Sequence, residues 1–296
     1  MELVRGRTPE FISYFVLRIS YFTIKYFAEK RGKYMVYLII CTVSLIVSAL
    51  TLFSGFGLGT LLMPAFALFF PLEVAIGATA FVHLANNIFK VVLVGKRADI
   101  RVVLTFAIPA SGMAIVGALL LNYFSGMQPL AEYVLAGKVF SITFLKLIIA
   151  VLIAIFAILE LVPSFETLSF HPKYIPLGGM LSGFFGGLSG HQGALRTAFL
   201  IRIGLKKEAF IGTMVVSAVV VDVTRLAAYG VTFFSQNIHV IRGQIGYGLI
   251  AAAILTAFTG AFIGSRLIKK ITMRTIKRIV GILLFVLAFI LGTGIV

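Results

Sequence analysis

Long, uninterrupted apolar stretches follow one another along this sequence from residue 34 onward. A stretch of about 20 apolar residues is long enough to cross the hydrocarbon core of a bilayer as a helix. Hydrophobic residues make up 60% of the chain and charged residues 12%, whereas a soluble domain is about 45–50% apolar and about 25% charged. Runs such as Ile148–Leu159 do not alternate apolar and polar residues as the strands of a membrane barrel would. The sequence therefore predicts an all-α, polytopic membrane protein.

Eight apolar segments divide the chain into two halves of four units. A basic arm (1–33) precedes the first transmembrane repeat (34–162), and a linker (163–174) joins this repeat to the second (175–296). The arm interleaves basic and aromatic residues, which is typical of an interfacial amphipathic helix; a disordered arm is the alternative. The predicted segments are Tyr34–Phe53 with the short piece Leu58–Phe70, Leu72–Val94, Val102–Tyr123, Ile142–Val162, the pair Ile175–Leu188 and Ala194–Ile203, Glu208–Tyr229, Ile245–Ile268 and Ile276–Val296.

In the early part of each half, matching residues are separated by a constant offset of 135 positions. Later in the repeat the offset is larger, and Val116-Gly117 then aligns with Ile263-Gly264. Duplicated membrane proteins whose helices break at matching positions are typically transporters with a binding site between the halves. At an offset of 135 residues the aligned pairs are Ser54 with Ser189, Gly55 with Gly190, Glu73 with Glu208, Gly77 with Gly212, Asn87 with Asp222, and Lys90 with Arg225.

A polar, glycine-rich break interrupts the first unit of each half. The first break reads SGFGLG from Ser54, and the second reads SGHQG from Ser189. Irregular backbone at membrane depth must line a cavity or pack on protein, and the helix that follows a break points N–H groups at it, which attracts anions. The alternative is that these glycines only permit close helix packing. We expect the substrate-binding residues to be Ser54, Gly55, Gly57, Gly59, Ser189, Gly190, His191, Gln192, Gly193 and Arg196.

A few charged residues lie inside the predicted spans, where they are costly unless they face protein or water. Arg196 has no acidic residue near it in sequence, so we expect it to bind an anion. Asp222 and Arg225 are spaced i, i+3 and can pair on one helix face. Asn87 and Lys90 occupy the matching places in the first half, and Lys90 is near its helix end, where its ammonium is expected to reach the interface.

The histidines do not form a metal-binding pattern, and a proton relay through them is one hypothesis. His83 and His191 have polar neighbours, and a proton relay is a hypothesis for either; a hydrogen-bonded buried histidine is the alternative. We group His83 with Asn87, Asp222 and Arg225 as supporting or proton-coupling residues. The four histidines are scattered and Cys41 is the single cysteine, so neither a metal site nor an intrachain disulfide is predicted. No phosphate-binding loop is present, so no cofactor is expected.

The net charge of +16 is placed mostly between or at the ends of apolar segments. This placement favours cytoplasmic loops and contact with anionic lipid over binding to nucleic acid. If all eight segments crossed the membrane, Lys206, Lys207 and the basic residues of 269–278 would face outside. A re-entrant hairpin in segment five returns them to the cytoplasm, and we predict that arrangement. Whether the first break is re-entrant or belongs to a spanning helix stays open.

Several of these motifs resemble the TauE/SafE sulfite exporter family, also called the toluene sulfonate uptake permease family. The resemblance rests on Gly187–Leu200 (GLSGHQGALRTAFL), Lys207–Phe210 (KEAF) and Asp222–Arg225 (DVTR), with GFGLG from Gly55 similar to the first glycine-rich motif. It implies a permease of duplicated four-helix halves for sulfite, thiosulfate or organosulfonates. His191, Gln192 and Arg196 depart from the plainer glycine triplet of the family, which leaves the substrate open.

These observations together predict a secondary transporter for a small sulfur-containing anion. It is expected in the plasma membrane, in contact with lipid, with a midplane site between the two breaks and protons as the hypothesised coupling ion. An uncoupled channel-like facilitator, an intramembrane enzyme and a non-transporting assembly subunit are the alternatives. The absence of a metal cluster or catalytic dyad in the sequence argues against the enzyme. The direction of transport and the oligomeric state stay open.

Overall fold

The computed structural model describes residues 32–50, 58–135, 137–162, 169–231, 246–267 and 273–295. These residues are helical apart from short connections and one β-hairpin. The strands of the hairpin are β1 (Ala131–Leu135) and β2 (Lys138–Ile142), paired antiparallel. The α-helices are α1 (Gly32–Leu50), α2 (Gly59–Ala67), α3 (Leu72–Val94), α4 (Ile100–Ser125), α5 (Phe144–Leu161), α6 (Ile175–Ser189), α7 (Gly193–Leu200), α8 (Lys207–Tyr229), α9 (Gly246–Leu267) and α10 (Met273–Gly292).

Two compact units divide the chain at residue 40. Of the first unit, the structure describes only residues 32–39, the first two turns of α1. The basic arm predicted over 1–33 therefore lies almost wholly outside the described residues. All contacts given below belong to the second unit, residues 40–296.

Within the described ranges, five helices are long and apolar enough to cross a membrane. They are Gly32–Leu50, Leu72–Arg97, Ile100–Ser125, Lys207–Tyr229 and Tyr247–Gly264. Shorter apolar helices cover Phe144–Leu159 and Gly281–Gly292. The chain is therefore an all-α, multi-pass membrane protein, as its composition predicts.

Helix α4 carries apolar side chains on its exposed face as well as on its buried face, as expected of a helix that contacts lipid. On α4, for example, the large side chains of Leu104, Ile108 and Leu119 are exposed, while Phe106 and Ala110 are buried. A helix that is hydrophobic all round belongs in a protein core or in a membrane. The exposed face of α4 therefore faces the hydrocarbon.

Glycines let α6 and α4 approach to backbone contact. Gly179, Gly183 and Gly187 recur every fourth residue along α6, and a Cβ on any of them would overlap a backbone carbonyl of α4. Small residues at this spacing are the usual means of close helix association in membranes. The carbonyls that meet these glycines are those of Phe106, Ala110 and Ala114.

The same kind of contact joins α1 and α9. A Cβ on Gly260 would overlap the carbonyl of Leu45, and one on Gly264 the carbonyl of Ala49. Ser44 of α1 donates a hydrogen bond to the Ala253 carbonyl at 2.7 Å. Further helix pairs that pack include α4 against α8, α3 against α8 and α5 against α10.

The β-hairpin between α4 and α5 is absent from the sequence-based prediction. Its strands alternate little in polarity, and Val134 and Val139 are both largely exposed. Tyr133 stacks on Phe140 across the strands and donates its hydroxyl hydrogen to the Thr293 carbonyl at 2.7 Å. Aromatic and β-branched residues favour strands, and both strands contain them. Each strand has only five residues, which is too short for this preference to distinguish a strand from a loop.

Candidate functional site

The second polar break lies at the tip of a helical hairpin. α6 ends at Ser189, and Gly190 takes a left-handed conformation with φ of 81°, which glycine adopts without the penalty that a Cβ brings. Beyond the turn, Ser182 donates to the Gln192 carbonyl at 2.9 Å, and Phe199 lies against Gly178 near the start of α6. α7 therefore runs back antiparallel along α6.

Neither arm of this hairpin is long enough to span a bilayer. α6 has 15 residues and α7 has 8. At 1.5 Å per residue the longer arm covers roughly 22 Å, whereas the hydrocarbon core is about 30 Å thick. The lengths fit the two short pieces predicted from the sequence around this break.

Asp222 of α8 is the centre of the buried polar cluster beneath the hairpin tip. Its Oδ1 accepts from the Gln192 amide at 2.8 Å and pairs with Arg225 Nη2 at 2.8 Å. Its Oδ2 lies 2.6 Å from His83 Nδ1 and accepts from the Asn87 amide at 3.0 Å. Both oxygens thus have two partners each, which fills the acceptor capacity of a carboxylate.

This cluster joins three parts of the chain. His83 and Asn87 come from α3, Gln192 from the hairpin tip, and Asp222 and Arg225 from α8. The i, i+3 pair predicted on α8 is present as an ion pair in which both side chains are fully buried. The structure thus brings together the four residues grouped as supporting or proton-coupling.

The end of α6 is held by two side chains of α8. Arg225 Nη1 donates to the Gly186 carbonyl at 3.0 Å, and the Tyr229 hydroxyl donates to the Gly187 carbonyl. The Gly186 carbonyl also accepts the Gly190 N–H at 3.1 Å, and a cation at the C-terminal end of a helix is favourable. Tyr229 is absent from the sequence-based site, although it follows Asp222 and Arg225 on the same helix face at i+7.

Arg196 lies on the first turns of α7 with little compensation for its charge. Its side chain is 5% exposed. Nη1 donates to Gln192 Oε1 at 3.2 Å, and Nε is buried with no hydrogen-bond partner among the residues that the structure describes. Since the Gln192 amide also donates to Asp222, a single side chain links the guanidinium of Arg196 to that carboxylate.

Lys90 contradicts the expectation that its ammonium reaches the interface. The residue is only 4% exposed, although it lies one turn from the end of α3. Within the described ranges it has no hydrogen bond and no ion pair. The reason is that Lys90 follows Asn87 on the buried face of α3, which packs on α8.

The remaining residues of the second break are buried as well. Ser189 donates to the Phe185 carbonyl at 2.9 Å. His191 lies 3.0 Å from the Ser189 carbonyl through Nδ1 and stacks on Phe156 with a ring separation of 5.5 Å. Gly193 begins α7 and is buried. This part of the predicted site therefore lies at one place, around the hairpin tip.

The first break is described only from Leu58 onward. Ser54, Gly55 and Gly57 lie outside the described residues. Gly59 begins α2, and a Cβ there would lie 3.2 Å from the Gly190 carbonyl. The start of α2 is therefore adjacent to the second break.

The chemistry of the cluster favours an anionic ligand. Among the described residues, three basic side chains, those of Lys90, Arg196 and Arg225, are buried together with only one carboxylate, that of Asp222. The Nε–H groups of both arginines are buried donors without acceptors. Buried charges without partners are rare because desolvation is expensive. Among the described residues no cluster of histidine, cysteine and carboxylate side chains could hold a metal ion.

Comparison with known proteins gives one match. The family model described as "Sulfite exporter TauE/SafE" matches residues 40–291, which is most of the chain. No curated protein and no solved structure matches the chain.

Proposed function

This chain belongs to the sulfite exporter TauE/SafE family, and on that premise we propose that it is a permease for a small sulfur-containing anion in the plasma membrane. The family is one of transporters rather than enzymes. The substrate is a sulfur oxyanion such as sulfite, thiosulfate or an organosulfonate. It binds at the hairpin tip, between elements of the two halves.

The observation that carries the proposal is the excess of buried positive charge at the break. Arg225 is neutralised by Asp222, but among the described residues Arg196 has only the neutral amide of Gln192 as a hydrogen-bond partner. A guanidinium with a free Nε–H binds oxyanions well because its donors match two oxygens at once. The start of α7, whose first residue is Gly193, adds backbone N–H groups to the same place.

In this proposal the site residues divide into two groups. Arg196, Ser189, Gly190, His191, Gln192 and Gly193 bind the anion, together with Ser54, Gly55, Gly57 and Gly59 of the first break. His83, Asn87, Asp222 and Arg225 hold the tip in place through the hydrogen bonds given above. A rigid support of this kind reduces the entropic loss on binding.

Equivalent contacts in the two halves support the duplicated architecture. Gly117 of α4 meets the Phe184 carbonyl of α6, and Gly264 of α9 meets the Ala49 carbonyl of α1. Gly117 aligns with Gly264 in the repeat, and Ala49 aligns with Phe184 at the offset of 135 residues. The two contacts therefore join equivalent positions of the aligned sequence.

A second pair of contacts follows the same rule. Ser44 bonds to the Ala253 carbonyl, and Gly179 meets the Phe106 carbonyl. Ser44 aligns with Gly179 at the first offset, and Phe106 aligns with Ala253 at the offset that relates Gly117 to Gly264. We therefore propose two four-unit repeats with a re-entrant hairpin in the second, an architecture typical of transporters that bind substrate at the repeat interface.

Substitution of Arg196 tests the proposed function. Arg196→Gln keeps hydrogen-bonding capacity but removes the charge, and we expect uptake of labelled sulfite into proteoliposomes to fall by about a hundredfold, which is the loss of a charge-assisted contact of about 3 kcal/mol. Arg202→Gln is the matched control, because Arg202 is exposed six residues further along. An Arg196→Gln protein that is folded and transports at the wild-type rate contradicts the proposal.

A further inference from the structure

We propose that the permease carries a proton in the same direction as its anion, and that the imidazole of His83 binds this proton. The inference rests on the proposed function and deepens it, since it names the coupling ion and the atom that takes it. From the sequence, His83 and His191 are equal alternatives for a proton relay. The contacts of the two rings in the structure distinguish them.

One ring nitrogen of His83 is committed to a carboxylate. Nδ1 lies 2.6 Å from Asp222 Oδ2, and since an ionised carboxylate only accepts hydrogen bonds, Nδ1 carries the hydrogen of the neutral ring. The other nitrogen, Nε2, then holds a lone pair. The Asn87 amide lies 3.5 Å from Nε2, at the outer limit of a hydrogen bond, and donates to Asp222 at 3.0 Å. Nε2 is therefore a base whose lone pair can take a proton.

The ring of His191 is less suited to this role. Its Nδ1 lies 3.0 Å from the Ser189 carbonyl, which is neutral, and its ring stacks on Phe156. A proton on His191 would create a buried imidazolium without a counterion, which is costly. On His83, by contrast, the carboxylate of Asp222 stabilises the imidazolium that forms.

A chain of hydrogen bonds joins His83 to the guanidinium of Arg196. Asp222 is bonded to His83 through one oxygen and accepts from the Gln192 amide through the other at 2.8 Å. Gln192 Oε1 in turn accepts from Arg196 Nη1 at 3.2 Å. All four side chains are buried. The proton-binding nitrogen and the proposed anion-binding cation thus belong to one network, in which bonds polarise one another.

The charged groups nearest to His83 come from three helices. Asp222 and Arg225 of α8 form an ion pair, Arg196 of α7 ends the chain of hydrogen bonds, and Lys90 lies two turns along the same face of α3. The other titratable side chains of α3, and of the elements packed on it, lie near helix ends or in the turn after α3. They are Glu73, Lys96, Arg97, Arg101, Tyr123, Lys207, Glu208, Tyr229, Tyr247 and Arg266.

An anion and a proton in this network stabilise each other. The Asp222–Arg225 pair has no net charge, so the guanidinium of Arg196 leaves an excess of positive charge, and a proton on His83 would increase it. An anion beside Arg196 removes that excess and makes the proton favourable. Because coupling between two binding equilibria is reciprocal, the proton also strengthens anion binding. The loaded carrier therefore holds both, which makes it a symporter rather than an exchanger of protons for anions.

Accumulation of labelled thiosulfate in proteoliposomes that contain the full-length protein tests the coupling. Thiosulfate stays fully ionised near neutral pH, so no proton crosses on the anion itself. The membrane potential is held at zero with potassium and valinomycin, and the outside is made more acidic than the inside. A gradient of about one pH unit should concentrate thiosulfate inside by about tenfold for each proton carried with it. Without the gradient, no accumulation is expected.

Substitution of His83 by asparagine tests the assignment to this residue. The amide nitrogen of asparagine takes the place of Nδ1 and can still donate to Asp222, but no basic atom replaces Nε2. In His83→Asn the gradient-driven accumulation should fall from about tenfold to near one. This readout is the ratio of uptake with and without the gradient, so a slower rate does not change it. His171→Asn is the matched control, because His171 is exposed before α6, and it should keep the wild-type ratio.

Proton uptake by the wild type in detergent gives a second readout, which holds even if His83→Asn does not fold. Thiosulfate is added to the purified protein in a weakly buffered solution that contains a pH-sensitive dye. We expect the solution to become more alkaline, since binding of the anion favours binding of the proton. Release of protons, or thiosulfate binding without a pH change, overturns symport.

Different results separate this inference from the proposed function. If the wild type exchanges labelled for unlabelled thiosulfate but the gradient drives no accumulation, proton coupling is overturned while the permease function stands. If His83→Asn keeps the wild-type ratio, or folds but moves no anion, the assignment to His83 is overturned. If sulfite alone is transported, the same ratio is measured with sulfite, because a proton carried on sulfite itself does not depend on His83. If neither anion crosses, the proposed function fails and the inference fails with it.

Discussion

Asn87 donates a hydrogen bond to Asp222 at 3.0 Å, and the two residues occupy corresponding positions in the two halves of the sequence. Each lies on the third apolar element of its half, and these two helices, α3 and α8, pack against each other. The amide and the carboxylate are nearly the same shape, but only Asp222 is ionised. The halves therefore place one charge where two aligned carboxylates would repel each other.

Removing one charge of the buried Asp222–Arg225 ion pair should destabilise the protein more than removing both charges. Asp222→Asn leaves the fully buried Arg225 without its counterion, so we expect the protein to lose about 3–5 kcal/mol of stability. The double variant Asp222→Asn with Arg225→Gln removes both charges and should unfold at a higher temperature than Asp222→Asn alone. Thermal unfolding in detergent measures both effects. A double variant that is the less stable of the two contradicts this account.

The backbone contact between α6 and α4 should not tolerate a methyl group. In Gly183→Ala the new Cβ would lie 2.6 Å from the carbonyl carbon and 2.7 Å from the Cα of Ala110, so the helices must separate at a cost of about 1–3 kcal/mol. Gly112→Ala is the control on the partner helix, since a Cβ there meets nothing within 4 Å. We expect the control to be neutral or up to about 1 kcal/mol more stable because alanine favours helix. Equal unfolding temperatures for the two variants would falsify the close contact.

The two ends of the hairpin formed by α6 and α7 should lie on the same side of the membrane. Single cysteines at Lys173, before α6, and at Lys206, after α7, are both at exposed positions. In a variant in which Cys41 is replaced by alanine, we expect an impermeant thiol reagent to label both from the cytoplasmic side. A cysteine at Val139 in the β-hairpin, which α4 separates from the basic turn at Lys96, should label from the other side. Labelling of the first two positions from opposite sides would show that this segment spans the membrane.

The sequence predicted those parts of the site that depend on local pattern. The polar break at Ser189 marks the end of α6, the short apolar pieces around it correspond to α6 and α7, and the i, i+3 spacing of Asp222 and Arg225 correctly indicates their pairing. Each of these signals lies within a few residues of chain. The lengths and composition that place a segment in the membrane are local in the same way.

What the sequence missed depends on contacts between distant elements. The burial of Lys90 is set by the packing of α3 on α8, which no spacing within α3 reveals. His83 was expected to have polar neighbours, but its partner Asp222 is 139 residues away. The hydroxyl of Tyr229 reaches a carbonyl of α6 in the same way. The roles of Ser54, Gly55 and Gly57 stay predictions.

The glycine contacts have a consequence for any half-length version of this chain. The glycines of α6 pack on α4, which belongs to the first half, and the glycines of α9 pack on α1, so that each half supplies the cover for the other. An isolated half would lose this close packing along a whole helix face, although the carbonyls on that face keep their hydrogen bonds within their own helices. We therefore expect neither half to be stable in the membrane without the other.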